Sequence, residues 1–340
     1  MCFQITVSTR VLILADTHGK TLGDNWPRPN DNEFDLVIHC GDLTQESKLS
    51  EFSATLEVLK SINAPLKLVI AGNHELTLDS PTYQKHLNQA GLKADDPAVL
   101  KEYGAVGEAR QLLESADGSI KLLDEGTHNF TLPNGASITI YASPWTPRKG
   151  GTLEYDEAGW AFQYNRRDPT ASSSAAEPGH KFDIATGTDI VVTHGPPHGV
   201  LDYVNRERAG CPDLFAAVAR ARPRLHCFGH IHRAWGAKLV AWRGGLDPAR
   251  DMPSHFTDID NERSVVMQKW AGLRPQVLDG STKMSEELVK FEREGFTDAT
   301  PPLIMPGEQT MFVNAAVEGD EDVPVQPPMV VNLELPRAEG

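Results

Sequence analysis

Six short apolar runs, five of them closed by glycine, aspartate, asparagine or histidine, restrict this chain more than any other feature. They are residues 10–15 (RVLILA), 36–39 (LVIH), 66–71 (LKLVIA), 138–142 (ITIYA), 189–193 (DIVVT) and 224–228 (RLHCF). Near-continuous apolarity, rather than alternation, predicts strands buried on both faces. Helical periodicity falls between them. Leu49, Phe52, Leu56, Leu59 and Ile62 recur at spacings of three and four, and Pro212 opens a second stretch, PDLFAAVARA, with proline in the first turn. Strands alternating with helices predict an α/β layered sheet. Residues 310–316 (TMFVNAA) and 328–336 (PMVVNLELP) read as two late strands, joined by an acidic GDEDV run that reads as a solvated loop.

Two stretches read as insertions, at about 146–188 and 243–309. The first is rich in Gly, Pro and Ser, with a low-complexity SSSAAEPG segment that reads as a flexible loop; the second has one short helical pattern, SEELVKFERE. The whole of 1–340 is expected to form a single domain.

The polar residues that close the runs point to the chemistry. The first run ends in Asp16-Thr17-His18, the second in Gly41-Asp42 and the third in Gly72-Asn73-His74-Glu75. The fifth ends in Thr193-His194-Gly195, and the sixth in Gly229-His230-Ile231-His232. Ligands bind at the carboxyl ends of strands in parallel α/β sheets, so these residues are expected to converge. Imidazole suits Zn, Fe, Mn or Ni, and carboxylate and amide oxygens suit harder cations. Two Asp, one Asn and four His exceed the needs of one ion but fit two ions sharing a bridging carboxylate. Two ions about 3.5–4 Å apart clamp the attacking and leaving oxygens of a phosphoryl displacement. The interleaved glycines Gly41, Gly72, Gly195 and Gly229 permit sharp turns and close backbone approach.

The order D-x-H, G-D, G-N-H-E, H, G-H-x-H resembles that of the calcineurin-like metallophosphoesterases, and all five elements are present. The likeness looks closest to the small metallophosphoesterase-domain proteins of animals and their fungal relatives. It extends to YASPW at 141–145, WAF at 160–162, THGPPHGVLD at 193–202 and the FVNAA…PPMVVNL ending. The resemblance implies a four-layer α/β/β/α sandwich of two mixed β-sheets flanked by helices. It implies one metal held by Asp16, His18, Asp42 and His232, and another by Asp42 (bridging), Asn73, His194 and His230. A water or hydroxide between the metals would be the nucleophile. His74 would be the general acid at the leaving group or stabilise the transition state, with Asn73 and His74 touching substrate. Glu75, or another carboxylate, is a candidate to orient His74. Mn²⁺ is the expected activating ion in vitro, with Fe, Zn, Mg or Ni as alternatives.

Elsewhere the bland readings stand. Gly19-Lys20-Thr21 lacks the upstream glycine of a phosphate loop, since Leu14 occupies that position. His39, His226 and Cys227 read as core residues. Trp145 and Trp160 fit either the pocket mouth, stacking on a base or aromatic ring, or the packing beneath the first insertion.

The charge balance, 32 Lys+Arg against 47 Asp+Glu and thus −15, argues against nucleic acid as partner, because backbone binding needs clustered cations. No run is long enough for a membrane span, and the N-terminus lacks a signal-peptide pattern. Four cysteines without CxxC spacing suggest a reducing, cytoplasmic setting. The sequence therefore predicts a dinuclear-metal hydrolase of a small-molecule phosphate ester, most readily a phosphodiester or nucleotide. The same ligand set also suits a nucleotide-binding regulatory protein with weak turnover, or a metallohydrolase recruited to a non-phosphate substrate.

Overall fold

The first strand is apolar at every position from Val11 to Leu14, yet its side chains feed two different cores. Val11 and Ile13 enter a cluster with Ile138, Ile140, Ile190, Val192, Met311 and Val313, whereas Leu12 and Leu14 join Phe52, Leu56, Leu59 and Leu113. Successive strand residues point to opposite faces, so a strand apolar throughout needs a layer on each side.

The computed structural model describes residues 5–20, 33–116, 118–148, 159–166, 179–245, 252–274, 276–278, 281–321 and 323–338. One sheet contains β1 (Thr6–Leu14), β2 (Leu36–His39), β3 (Lys67–Val69) and β4 (Ile120–Leu122), with β11 (Thr297–Asp298) and β13 (Met329–Pro336). Its order is β11-β13-β1-β2-β3-β4. Strands β1 to β4 run parallel, and β13 pairs antiparallel with β1, from Thr6 opposite Pro336 to Ile13 opposite Met329.

The second sheet contains β5 (Gly126–Thr131), β6 (Ser137–Ser143), β7 (Ile190–Thr193), β8 (Leu225–Phe228), β9 (Gly236–Trp242), β10 (Ile259–Lys269) and β12 (Gln309–Asn314). Its order is β10-β9-β12-β8-β7-β6-β5, with β6, β7, β8 and β12 parallel.

Helices cover both outer faces. Helix α1 (Leu49–Ser61) and the short α4 (Glu108–Glu114) lie against the first sheet, and α2 (Ser80–Ala90) and α3 (Pro97–Tyr103) form a satellite cluster through Tyr83, Leu87 and Val99. Helix α5 (Pro212–Ala221) packs Leu214, Phe215 and Val218 on Tyr141, Val191, Phe228, Phe312 and Trp242 of the second sheet. The result is the expected α/β/β/α sandwich of two mixed sheets.

The stretch 243–309 contributes to both sheets. It adds β10 to one edge of the second sheet and β11 to one edge of the first, with the single turn α6 (His255–Asp258) and helix α7 (Glu286–Glu294) also within it. Of the low-complexity segment, 172–178 lies outside the described residues. No helix among the described residues is long and apolar enough to cross a membrane.

The α5 contact tests the outer layer. Phe215 is fully buried, with its ring 6.0 Å from that of Trp242. Phe215→Ala is expected to lower the unfolding free energy by about 3–5 kcal/mol, the usual cost of emptying an aromatic site. The urea midpoint reads this directly, and a loss below about 1 kcal/mol would show that α5 is not an integral layer.

Candidate metal centre

Parallel strands of both sheets release their chains at the same edge, and the loops there are bound to one another. Asp16 N–H donates to the Gly41 carbonyl, His18 N–H to that of Asp42, His194 N–H to that of Ser143, and Gly229 N–H to that of His194. His194 Nδ1 donates to the Cys40 carbonyl at 2.9 Å, which ties the second sheet's loop to the first sheet.

The turns are strained. Asp16 (φ 57), His18 (φ 48), Asp42 (φ 53) and His230 (φ 67) all adopt the left-handed conformation, which is uncommon for non-glycine residues and collects at functional sites. Two glycines make the close packing possible. A Cβ on Gly72 would stand 2.3 Å from Asp42 Oδ1, and one on Gly229 only 2.1 Å from Asp16 Oδ2.

All seven residues expected to hold metal converge at this edge. Ligand atoms of Asp16, His18 and His232 lie within 4.8 Å of one another, and so do those of Asp42, His194 and His230. Asn73 Oδ1 is 3.0 Å from His194 Nε2. Asp42 stands between the two groups, with Oδ2 3.9 Å from His18 Nε2 and 3.1 Å from His194 Nε2. His18 donates through Nδ1 to the Thr44 carbonyl at 3.1 Å, and its buried Nε2 makes no hydrogen bond. Carboxylates, an amide oxygen and imidazole nitrogens facing one space, with one buried nitrogen making no hydrogen bond, fit a cation centre of nitrogen and oxygen ligands.

Without metal, protons hold part of this charge. Burial works against a charged His194, but Asp42 and the Cys40 carbonyl outweigh it and raise the pKa from 6.5 to about 9. Asp42 pays the same burial cost, yet His194 holds it well below the usual carboxylate range. Burial pushes His230 down to about 4, so its ring is neutral. His232 is raised despite burial, by its hydrogen bond with Asp16.

His74 also reaches the centre. Its Nδ1 donates to the Gln45 carbonyl at 2.7 Å, and its Nε2 faces Asp42 Oδ2 at 4.0 Å. Glu75 does not orient it. The Glu75 carboxylate turns inward and accepts from Asp42 N–H (3.0 Å), Gly72 N–H (2.6 Å), Thr44 N–H (2.9 Å) and Thr44 Oγ1 (2.9 Å). It staples two ligand loops, and the buried, donor-rich pocket between them leaves no reason for it to turn towards His74. The Gln45 carbonyl takes the orienting role, and no side-chain pattern announces a backbone acceptor.

The two tryptophans separate. Trp160 stays 42% exposed with its ring 4.5 Å from that of His74, and its neighbour Ala161 donates to the Asn73 carbonyl at 3.0 Å. Trp145 packs on Phe162 and stacks on His180 at 5.3 Å. His39 and His226 are core residues as expected, buried and hydrogen-bonded to Thr17 and Thr193. The acidic run after Glu318 is not simply a solvated loop. Asp320 pairs with Arg233 at 3.1 Å, and Glu318 reaches His18.

A family profile described as calcineurin-like phosphoesterase matches residues 9–234, which contain every one of these ligands. The chain belongs to the calcineurin-like phosphoesterase family. Metallophosphoesterase domain-containing protein 1 of human and of mouse are each 33% identical over 232 residues, covering 67% of this chain and 62% of the relative. A protein of Emericella nidulans named probable rhamnogalacturonate lyase C is 32% identical over 235 residues, covering 68% of this chain but only 18% of the relative. The chain thus spans less than two thirds of these relatives' length. In keeping with that family, the chain brings together Asp and His groups that could hold metal ions.

A cation taking the His194 Nε2 lone pair must displace a proton. His194 has its folded pKa raised from 6.5 to about 9, so its contribution to metal-free stability is complete below about pH 6.5 and lost as pH rises through 9. Metal affinity is expected to rise with pH over that window, with at least one proton released per protein on loading at pH 7.5. Calorimetry in two buffers of different ionisation enthalpy measures this. Equal apparent heats would remove the proton assigned to His194.

Proposed function

We propose that the chain is a dinuclear-metal phosphoesterase, in one metallophosphoesterase domain, acting on a small-molecule phosphodiester or nucleotide. The observation that supports this most is the place of Asp42 between two ligand groups. One ion would be held by Asp16, His18, Asp42 and His232, and the second by Asp42, Asn73, His194 and His230. Two ions so held would supply Lewis acidity at the phosphoryl oxygens and lower the pKa of a water. Mn²⁺ suits a mixed nitrogen and oxygen set in vitro, and Fe, Zn, Mg and Ni suit it too.

The protein's own residues supply the rest. The Gln45 carbonyl fixes the Nδ1 proton of His74, so proton transfer takes place at Nε2, the atom that faces the centre. From there His74 serves as general acid to the leaving oxygen. Exposed Trp160 beside it offers a flat apolar surface for a planar leaving group, which favours a nucleotide or aryl ester. Among the described cysteines, Cys40, Cys211 and Cys227 are free, in keeping with a reducing cytoplasmic setting. The lyase named among the relatives shares 18% of its length with this alignment, too little to support a lyase reading.

Two variants test the assignment. Asp42→Ala is expected to abolish Mn²⁺-dependent hydrolysis of an aryl phosphodiester and to lower bound metal, measured by mass spectrometry of the dialysed protein. A fully loaded, active variant would sink the bridging role. His74→Ala is expected to keep the metal and slow turnover about 10²–10⁴-fold. The loss should shrink for an aryl leaving group that needs no acid, and equal losses on aryl and alkyl diesters would refute the leaving-group role.

A further inference from the structure

Beyond the seven expected ligands, one more carboxylate meets the centre. Ala316 bridges Ala15 where β12 leaves the second sheet, with Val317 N–H donating to the Ala15 carbonyl at 2.9 Å. This brings Glu318 to the centre beside His18. The position is built. Gln326, fully buried, directs its Nε2 at the carbonyls of Glu318 (2.8 Å), Ala316 (3.1 Å) and His232 (3.1 Å), so one amide fastens the acidic loop to a ligand loop. The Arg233–Asp320 pair adds a second tie.

The two oxygens of Glu318 have different surroundings. Oε1 pairs with Lys20 Nζ at 3.0 Å, while Oε2 lies 3.5 Å from His18 Nε2. Both Oε2 and His18 Nε2 are shut off from solvent, and neither makes a hydrogen bond. His18 must donate through Nδ1, because its partner there is a carbonyl; in the neutral ring Nε2 then carries a lone pair. In that neutral form, two electron-pair donors face each other 3.5 Å apart. Such an arrangement is unfavourable when buried, and a cation relieves it. Glu318 stands outside the close group of Asp16, His18 and His232, so its effect on the ion is by charge, from beyond direct contact.

We propose that Glu318 is a positioning residue of the metal centre, an outer carboxylate that retains the ion on the His18 side. The inference rests on the two-ion reading of the centre. Outer partners of this kind change metal affinity by about 10–100-fold when removed. Lys20 is expected to act in the opposite sense, since its charge opposes that of the ion.

The test is a calorimetric titration of metal-free wild type, Glu318→Gln and Lys20→Met with Mn²⁺, with thermal melting of each metal-free protein as the structural control. Wild type should bind two ions. Glu318→Gln should weaken one of the two sites about 10–100-fold and leave the other unchanged, while Lys20→Met leaves both as tight or tighter. Two unaltered sites in Glu318→Gln would overturn the proposal and leave the two-ion reading standing. Weakening of both sites to the same extent in both variants, with a lowered melting temperature, would show a loop-fastening role and overturn it too. Fewer than two ions in wild type would instead overturn the two-ion reading itself.

Discussion

Asp42 carries three constraints that the rest of the centre depends on. Its peptide N–H is taken by buried Glu75, its Oδ1 accepts the His74 N–H at 2.9 Å, and its Oδ2 faces His194 of the second sheet at 3.1 Å. These contacts require a left-handed backbone just beyond β2 and a neighbour, Gly72, without a side chain. Such strain persists only where the surroundings over-determine it. Here they do, because two buried sheets fix the strand ends and Glu75 pulls two loops onto one carboxylate. Rigid donors leave little for a cation to reorganise when it binds.

Much of this was legible in the chain because parallel topology converts sequence order into position. Once RVLILA, LVIH, LKLVIA, DIVVT and RLHCF are strands of parallel sheets, Asp16, Asp42, Asn73, His194 and His230 have one edge to share. The double use of β1, inward through Ile13 and outward through Leu12, likewise comes from apolarity without alternation. The resemblance then supplied the second sheet, which composition and periodicity do not distinguish from one larger sheet.

The illegible parts have a common physical origin. Gln45 holds His74 through its backbone carbonyl, which no side-chain identity reveals. Glu75 is the next residue after His74, yet its burial and four donated hydrogen bonds turn it the other way. Trp145 and Trp160 are indistinguishable by type and differ only in what the 159–166 segment packs against. Glu318 directly precedes an acidic run that reads as solvated until Gln326, eight residues on, is seen to hold the loop against His232. In each case a loop's docking decides the outcome, and docking is a tertiary property.

Charge connects these features. A chain of net charge −15 repels anionic esters, and the centre itself concentrates Asp16, Asp42 and Glu318, with no arginine or lysine among its candidate ligands. In the metal-free site the raised pKa of His194 favours its charged form, and that charge is given up as pH rises through about 9. Under the proposed function, cations would serve substrate binding as well as chemistry. Held there, they would reverse the sign of the local field and draw an anion to the loaded site. An outer carboxylate at Glu318 fits that logic. It adds negative charge where the cation sits, favouring the loaded form, while Lys20 caps its other oxygen.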